Sequence, residues 1–485
     1  MPLWIGLVRA FLIAIIIAFW APSESAHAEI KTYFNYSTTG ETYLDPYRGF
    51  ERPGHNMEQV FIDQIRAAES SIDLAVFEFR LPLVAQELVK KAKSGVVVRV
   101  IIDNQNNKPF RHSSADCEAM ESYYSRPKCL DMLAFMDLNG DGIVDQKESS
   151  ERDAIVILSE GGVPVIDDTN DLSRGSGLMH HKFLIVDGHR LVLASENLTW
   201  SGIHGDFTRP MSRGNTNGFM VFESKPLSEL FAEEFAIMWG TGQPSLASRF
   251  GLRKPHRPVR SVVVDGVRID VKYSPTSSQR PYDDSTNGWL ASQLRSALYR
   301  IDVANFAFSE QQLTDAIATA YSRNKNMELF VLSDLGFAYR YYSELLDFWG
   351  LTLLRNQQEA PRNFCTPEDN NHPWVESIPH VDGQYLEGSS RQGAGVPVLG
   401  PGDRMHHKFA IIDANRVIFG SHNWSEVANR QNDEYVVTIH DASITNKFSG
   451  EFERLLKSSY LGPPSSLKNR IEDMEKQCQV GDGSR

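Results

Sequence analysis

Met179-His180-His181-Lys182-Phe183-Leu184-Ile185-Val186-Asp187 returns, with two apolar changes, as Met405-His406-His407-Lys408-Phe409-Ala410-Ile411-Ile412-Asp413. Each copy reads His-x-Lys, four residues, Asp. Each is followed by a matching coda, Ala194-Ser195-Glu196-Asn197 and Gly420-Ser421-His422-Asn423. Two copies with matching codas imply two halves of one plan.

The repeat extends outward from these strings. Residues 71–79 (SIDLAVFEF) correspond to 300–308 (RIDVANFAF). Both are preceded by a helical pattern (60–70 and 289–299) and followed by another (83–94 and 311–322). Next come the apolar runs 96–103 and 327–334, each ending in Asp like buried strands of a parallel sheet. Strand, helix, strand on this scale is a βαβ unit. The signatures add two strands per half, 182–187 with 190–195 and 408–413 with 416–421. The expected fold is α/β: two similar βαβ-type halves, each a mixed sheet flanked by helices, packed as a pseudo-twofold pair. The halves are expected at 29–255 and 256–485. The Pro-containing, locally basic junction at 249–260 reads as a linker in preference to a phosphate-binding patch. Each half carries an insertion, at 104–152 and 356–404. The second is rich in Gly and Pro and offers Trp374 and Tyr385, which read as part of a surface loop.

At 485 residues the chain has room for two or three domains' worth of core. Residues 1–28 stand apart. A single positive charge in 1–9 precedes the apolar run 10–20, and Ala26-His27-Ala28 fits a small-x-small cleavage site. This reads as a secretory signal cleaved before Glu29. The apolar run is short for a span of roughly 20 residues, and no other stretch suits a bilayer. The expected location is therefore secreted or periplasmic. Arg9 and Glu24 cancel, so the net charge stays at −13, which argues against a general polyanion-binding protein. In an oxidising compartment Cys117, Cys129, Cys365 and Cys478 suggest two disulfides with three possible pairings. Cys117 with Cys129 would close a local loop, and Cys365 with Cys478 would tie the second insertion to the tail.

Residues two apart on a strand share a face. His180 and Lys182 thus project together, as do His406 and Lys408, while His181 and His407 face the packing side. Each half presents an imidazole, an ammonium, a hydroxyl (Ser195, Ser421) and a carboxamide (Asn197, Asn423). Lysines beside each histidine would repel a metal cation, but the set suits a phosphodiester. One neutral histidine attacks phosphorus. The other, protonated, serves the leaving alcohol and then acts as base to water. Lysines and asparagines neutralise the transition-state oxygens, so catalysis needs no metal or other cofactor.

The motif HxK(x)4D with its GSxN-type coda resembles the phospholipase D superfamily, and the resemblance covers most of the chain beyond residue 28. It implies an α/β sandwich with both motifs at one site. It makes His180 the nucleophile and His406 the general acid, with Lys182, Lys408, Asn197 and Asn423 on phosphate. Ser195 and Ser421 match the coda serine. Asp187 and Asp413 match the motif aspartate, in a role more structural than chemical. A downstream acid often holds the histidine's other nitrogen, and Glu434 fits that place in the second half. The first half departs, with Asn217 at that place and Ala194 for the usual glycine, so that Asn217 or Asp206 is left to orient His180.

Within the first insertion, residues 137–148 (DLNGDGIVDQKE) match the twelve-residue EF-hand loop. Its ligands would be Asp137, Asn139, Asp141, Ile143 through its carbonyl, Asp145 and Glu148, and the flanks 130–136 and 146–158 can be helical. A structural Ca2+ is the expectation.

Three functions fit. The first is a secreted phospholipase D that hydrolyses phospholipid headgroups, with transfer to other alcohols open to it and a membrane surface as its partner. The second is an exported endonuclease with nucleic acid as substrate, for which only the neighbourhood of Arg253, Lys254, His256 and Arg257 hints at a basic groove. The third is a non-catalytic calcium-binding protein, which the intact His, Lys and Asn sets disfavour. No obligate protein partner is evident.

Overall fold

The computed structural model describes residues 30–36, 40–122, 125–355, 365–366, 383–384, 388 and 390–482. The N-terminal segment read as a signal, Trp374 and Tyr385 lie outside them. Among the described residues no helix is long and apolar enough to cross a membrane.

The first half builds a seven-stranded sheet. Its strands are β1 (Lys31–Phe34), β2 (Ser71–Val76), β3 (Val97–Ile102), β4 (Val165–Asp167), β5 (Lys182–Val186), β6 (Arg190–Ala194) and β7 (Gly218–Glu223). They lie in the order β1-β7-β6-β5-β2-β3-β4. The second half supplies β8 (Arg260–Val264), β9 (Val267–Ser274), β10 (Arg300–Asn305), β11 (Glu328–Ser333), β12 (Gln392–Pro397), β13 (Lys408–Ile412), β14 (Arg416–Gly420), β15 (Glu434–His440) and β16 (Ser459–Leu461). Their order is β8-β9-β15-β14-β13-β10-β11-β12-β16, with Gly383–Gln384 beyond. Strands β2, β3 and β4 run parallel, as do β10, β11 and β12, and the signature strands β5 and β13 join them antiparallel. The expected mixed sheets are therefore present, in the same order in each half.

Local sequence explains the elements. Strand β2 is buried along nearly its whole length because helices cover both faces, so it reads as a continuous apolar run. The helices are α1 (Met57–Arg66), capped by Asn56, and α2 (Pro82–Lys93), which opens on proline. The first insertion adds α3 (Ser114–Glu118), α4 (Ser125–Met136), α5 (Gln146–Arg152) and α6 (Ala154–Glu160). The helix expected over 146–158 breaks at Asp153, whose carboxylate caps α6. After the first coda come α7 (Trp200–Ile203) and α8 (Lys225–Trp239). The second half contributes α9 (Thr286–Arg295), α10 (Gln311–Arg323) and α11 (Ala442–Lys457). Cys117 pairs with Cys129 and Cys365 with Cys478, at Cα–Cα distances of 5.4 and 5.5 Å.

One apolar cluster runs through both sheets, with Phe183, Phe231 and Phe235 from the first half meeting Phe409, Phe419, Tyr435 and Phe448 from the second. The backbone also crosses between halves just ahead of each signature strand. Met179 bridges Asp433, and Thr216 bridges Met405, both parallel. His180 N donates to Asp433 O (2.9 Å), and His406 N donates to Thr216 O (3.1 Å). The first histidine of each signature is therefore seated on the other half's chain.

Candidate active site

Strands β5 and β13 open at Lys182 and Lys408, so the two histidines sit on the entry segments rather than within the strands. The alternation of faces still holds. His181 and His407 are fully buried on the far side, with Nε2 at 3.3 Å from Glu234 Oε1 and 2.8 Å from Glu451 Oε1 respectively. His180, Lys182, His406 and Lys408 are buried on the near side, with each lysine Nζ folded back onto its own histidine's carbonyl at 2.9 and 2.6 Å.

The orienting groups correct the sequence expectation. Glu434 does not hold the histidine of its own half: its Oε2 lies 2.8 Å from Nδ1 of His180. Asn217 of the first half in turn places Oδ1 3.0 Å from Nδ1 of His406. Asp206 plays no such part; its carboxylate faces Arg209 at 3.4 Å. The exchange follows from the cross-half bridges, because the chain that seats each histidine continues directly into the residue that grips its Nδ1. Ser195 Oγ donates to Asn217 Oδ1 (2.8 Å), and Ser421 Oγ accepts from Tyr435 N (3.2 Å), so the coda serines steady this arrangement.

Electrostatics bring the halves together. Burial, then Lys182 and Lys408, depress His180 well below the ordinary imidazole value. Burial, then Lys408, Lys182 and His180, do the same to His406. Burial brings Lys182 down to about 7, and burial with the neighbouring Lys182 charge takes Lys408 well below its usual value. Two buried amines whose charges repel each other make a place where an anion would be held. The side-chain oxygens of Asn197 and Asn423 are buried without hydrogen-bond partners.

Asp187 and Asp413 lie at the far ends of the signature strands. Asp187 accepts from the backbone amides of Glu69, Ser70 and Ser71, and Asp413 from those of Leu298, Tyr299 and Arg300. They tie a turn to the start of β2 or β10, at the ends of the strands away from the histidines, the structural position expected of them.

Several contributors escaped the sequence reading. The rings of Phe77 and Phe306 stand 4.9 and 4.7 Å from His180 and His406, and each also faces its half's lysine. They occupy equivalent places in the 71–79 and 300–308 repeat, which was the available signal. Asp103 and Asp334, the acids that end the two apolar runs, accept from Met179 N (3.1 Å) and Met405 N (2.9 Å) and so hold the segments that carry the histidines. Glu196, inside the first coda, is buried with one oxygen on Asn197 N and the other unpartnered, and burial pushes its carboxyl up to about 8.

The junction is a structural link, as its composition suggested. Lys254 is buried between Glu234 and Asp433, and Arg253 meets Asp171 at 3.5 Å. Gly251 N also donates to Asp433 (2.9 Å), which anchors the residue ahead of Glu434.

A match to the family model described as "Cardiolipin synthase, PLD-like domain" covers residues 61–239 and 290–456, the two halves just built. The chain belongs to this phospholipase D-like family. Mitochondrial cardiolipin hydrolase of Homo sapiens is 26% identical over 190 residues, 39% of this chain and 54% of that protein. The Xenopus tropicalis cardiolipin hydrolase is 37% identical over 82 residues, 16% of this chain and 39% of that protein. The matches thus span about half or less of those relatives' length. The crystal structure of phosphatidylserine synthase from Haemophilus influenzae Rd KW20 superposes with a TM-score of 0.52 at 9% identity, covering 87% of this chain and 90% of that one, and shares the fold. Phospholipase D-like proteins are phosphodiesterase-type enzymes, and the paired His, Lys and Asn sets of this chain are complete.

The 137–148 loop stands between α4 and α5, the helix–loop–helix frame expected of it. Its oxygen donors suit a hard cation. Their present hydrogen bonds are internal: Asp137 accepts from Gly140 and Gly142 amides, and Glu148 from those of Leu138, Asn139 and Asp145. Among the described residues no group of three or more His, Cys, Asp or Glu converges as a metal site. Glu148 would have to leave the Leu138 and Asn139 amides to close the shell.

Proposed function

We propose that this chain is an exported phospholipase D that hydrolyses phospholipid headgroups through a covalent phosphohistidine. The observation that carries this reading is the reciprocal grip of the two halves, Glu434 on His180 and Asn217 on His406. With its Nδ1 proton directed at a carboxylate, His180 keeps Nε2 free for attack. The same carboxylate neutralises the imidazolium that forms as Nε2 bonds phosphorus. His406 faces only a neutral amide, so its protonated form, favoured once the phosphodiester anion offsets the two lysines that depress it, is the stronger acid. It gives its proton to the alcohol oxygen as the P–O bond breaks. It then takes a proton from water, whose oxygen attacks phosphorus and releases His180. Lys182, Lys408, Asn197 and Asn423 hold the nonbridging oxygens throughout.

Three features support a lipid over a nucleic acid. The net charge is −13. The basic junction is neutralised by Glu234, Asp433 and Asp171. The two histidines are each flanked by an aromatic ring, Phe77 and Phe306. Export is supported by residues 1–28 and by the two disulfides. We further propose a structural Ca2+ in the 137–148 loop, held by Asp137, Asn139, Asp141, Ile143 carbonyl, Asp145 and Glu148. The deciding assay pairs phosphatidylcholine vesicles with plasmid and single-stranded DNA, each with chelator. Choline release without DNA cleavage is expected, and DNA cleavage without choline release would overturn the lipid reading.

A further inference from the structure

The two sides of the cavity differ at one position next to the aromatic flanks. After Phe77 comes Glu78, and after Phe306 comes Ala307. Glu78 is buried, and its segment is pinned beside the first coda: Leu198 N donates to Glu78 O (3.0 Å) and Arg80 N to Leu198 O (2.7 Å). Its neighbour Phe77 carries the ring that stands 4.9 Å from His180, and the Glu78 charge is felt by both Lys182 and Glu196.

Its partners come from two directions. Arg80 Nε lies 3.7 Å away and has no hydrogen-bond partner. Lys128 Nζ lies 2.9 Å from one carboxylate oxygen and 3.2 Å from the other. Burial would raise the Glu78 carboxyl, but Lys128 and then Arg80 hold it below the ordinary range.

Lys128 belongs to α4, inside the insertion; a disulfide ties α4 to α3 of the same insertion, and two further contacts tie it to the chain after the first coda. The next residue, Cys129, is disulfide-bonded to Cys117. Asp131 accepts from Trp200 Nε1 (3.0 Å) and from Thr208 N (2.8 Å), both in the chain after the coda. Phe135 stacks on Trp200 at 4.0 Å. The insertion therefore packs on the chain that follows the first coda and brings Lys128 to Glu78.

Two cations share one carboxylate, leaving a surplus positive charge there, and the Lys128 side chain is 63% exposed while Glu78 is buried. An acidic group arriving here would meet the exposed ammonium first. We propose that Lys128, backed by Arg80, is a specificity-determining residue that receives a carboxylate carried by the substrate's headgroup. The inference rests on the lipid reading of the same site. Ala307, at the equivalent place of the second half, has no carboxylate to hold a cation in this way.

Soluble dihexanoyl phosphatidylserine and dihexanoyl phosphatidylethanolamine test it, because they differ by one carboxylate and form no charged surface. The ratio of their kcat/KM values is measured for the full chain and for Lys128→Ala, Lys128→Glu and Lys128→Arg, with melting curves to verify folding. The wild type is expected to favour the serine lipid. The ratio should fall about fivefold in Lys128→Ala, the scale of one exposed ion pair, chiefly through KM. It should fall further in Lys128→Glu and be largely kept in Lys128→Arg. A wild type that treats the two lipids alike, or an unchanged ratio in folded Lys128→Glu, overturns this inference and leaves the lipid reading standing. A wild type that cleaves DNA and neither lipid overturns both.

Discussion

Glu434 Oε2 and His180 Nδ1 lie 2.8 Å apart although 254 residues separate them, and they come from different halves of the chain. The carboxylate holds the ring orientation of His180 and, on the proposed mechanism, offsets its charge once phosphorus is attached. Glu434→Gln keeps the shape but loses that charge, and kcat is expected to fall about a hundredfold or more. Asn217→Asp puts a carboxylate on the acid instead, strengthening its hold on the proton, and should slow the first step when the leaving alcohol is poor. Single-turnover rates with good and poor leaving groups check both. Loss of less than about fivefold in Glu434→Gln would contradict the assigned pairing.

The pH profile follows from the buried cations. Burial brings Lys182 to about 7 in the free enzyme, so its ammonium is present below that pH and lost as pH rises through it. Ionisation of buried Glu196, raised to about 8, then adds negative charge beside the cavity. Hence kcat/KM should decline above about pH 7, while kcat extends to higher pH because a bound phosphodiester stabilises the ammonium. Lys182→Arg, whose charge is fixed, should move the alkaline limb of kcat/KM upward. A wild-type kcat/KM that stays flat from pH 7 to 9 would exclude this account.

Asp187 offers a test of structure without chemistry. Burial works to raise its carboxyl, but the amides of Ser71, Glu69 and Ser70 and the Ser70 hydroxyl hold it at about 2. A depressed carboxyl stabilises the fold above its unfolded value near 3.9, and that contribution is lost as pH falls through about 2. The residue also has φ +52°, a conformation that alanine adopts reluctantly. Asp187→Ala should therefore cost about 1–2 kcal/mol at pH 7, shrinking toward pH 2, with kcat below the melting range within about twofold of wild type. Thermal melts from pH 2 to 7 beside activity decide it.

Calcium in the 137–148 loop is expected to raise the melting temperature. A concentration a hundred times Kd would add about 2.7 kcal/mol. Glu148→Gln should remove most of the difference between calcium and chelator. Superimposable wild-type melts in the two conditions would refute the site.

The duplicated signature made the fold legible, since matched runs at 71–79 and 300–308 could only be equivalent strands. It also located the lysines, asparagines and serines, because strand alternation says which residues share a face. Alternation says nothing about which residue of the other half meets that face. Glu434 was read with His406 because it follows that histidine along the chain, whereas the backbone ahead of it crosses to Leu178 and His180 before β15 begins. The same blindness hid Asp103 and Asp334, whose carboxylates matter for the amides they hold. Lys128 was invisible because a helix inside an insertion has no partner in the repeat.

The central claim is that two histidines from opposite halves serve one phosphorus, His180 as nucleophile and His406 as proton carrier. His406→Ala enzyme mixed with phosphatidyl-p-nitrophenol, quenched with acid-free denaturant and mapped by peptide mass spectrometry, tests it directly. That leaving group needs no proton, while hydrolysis of the adduct lacks its base, so a burst of nitrophenol with a phosphatidyl group trapped on His180 is predicted. An adduct on another residue, or steady turnover of His406→Ala with no adduct, would contradict the account.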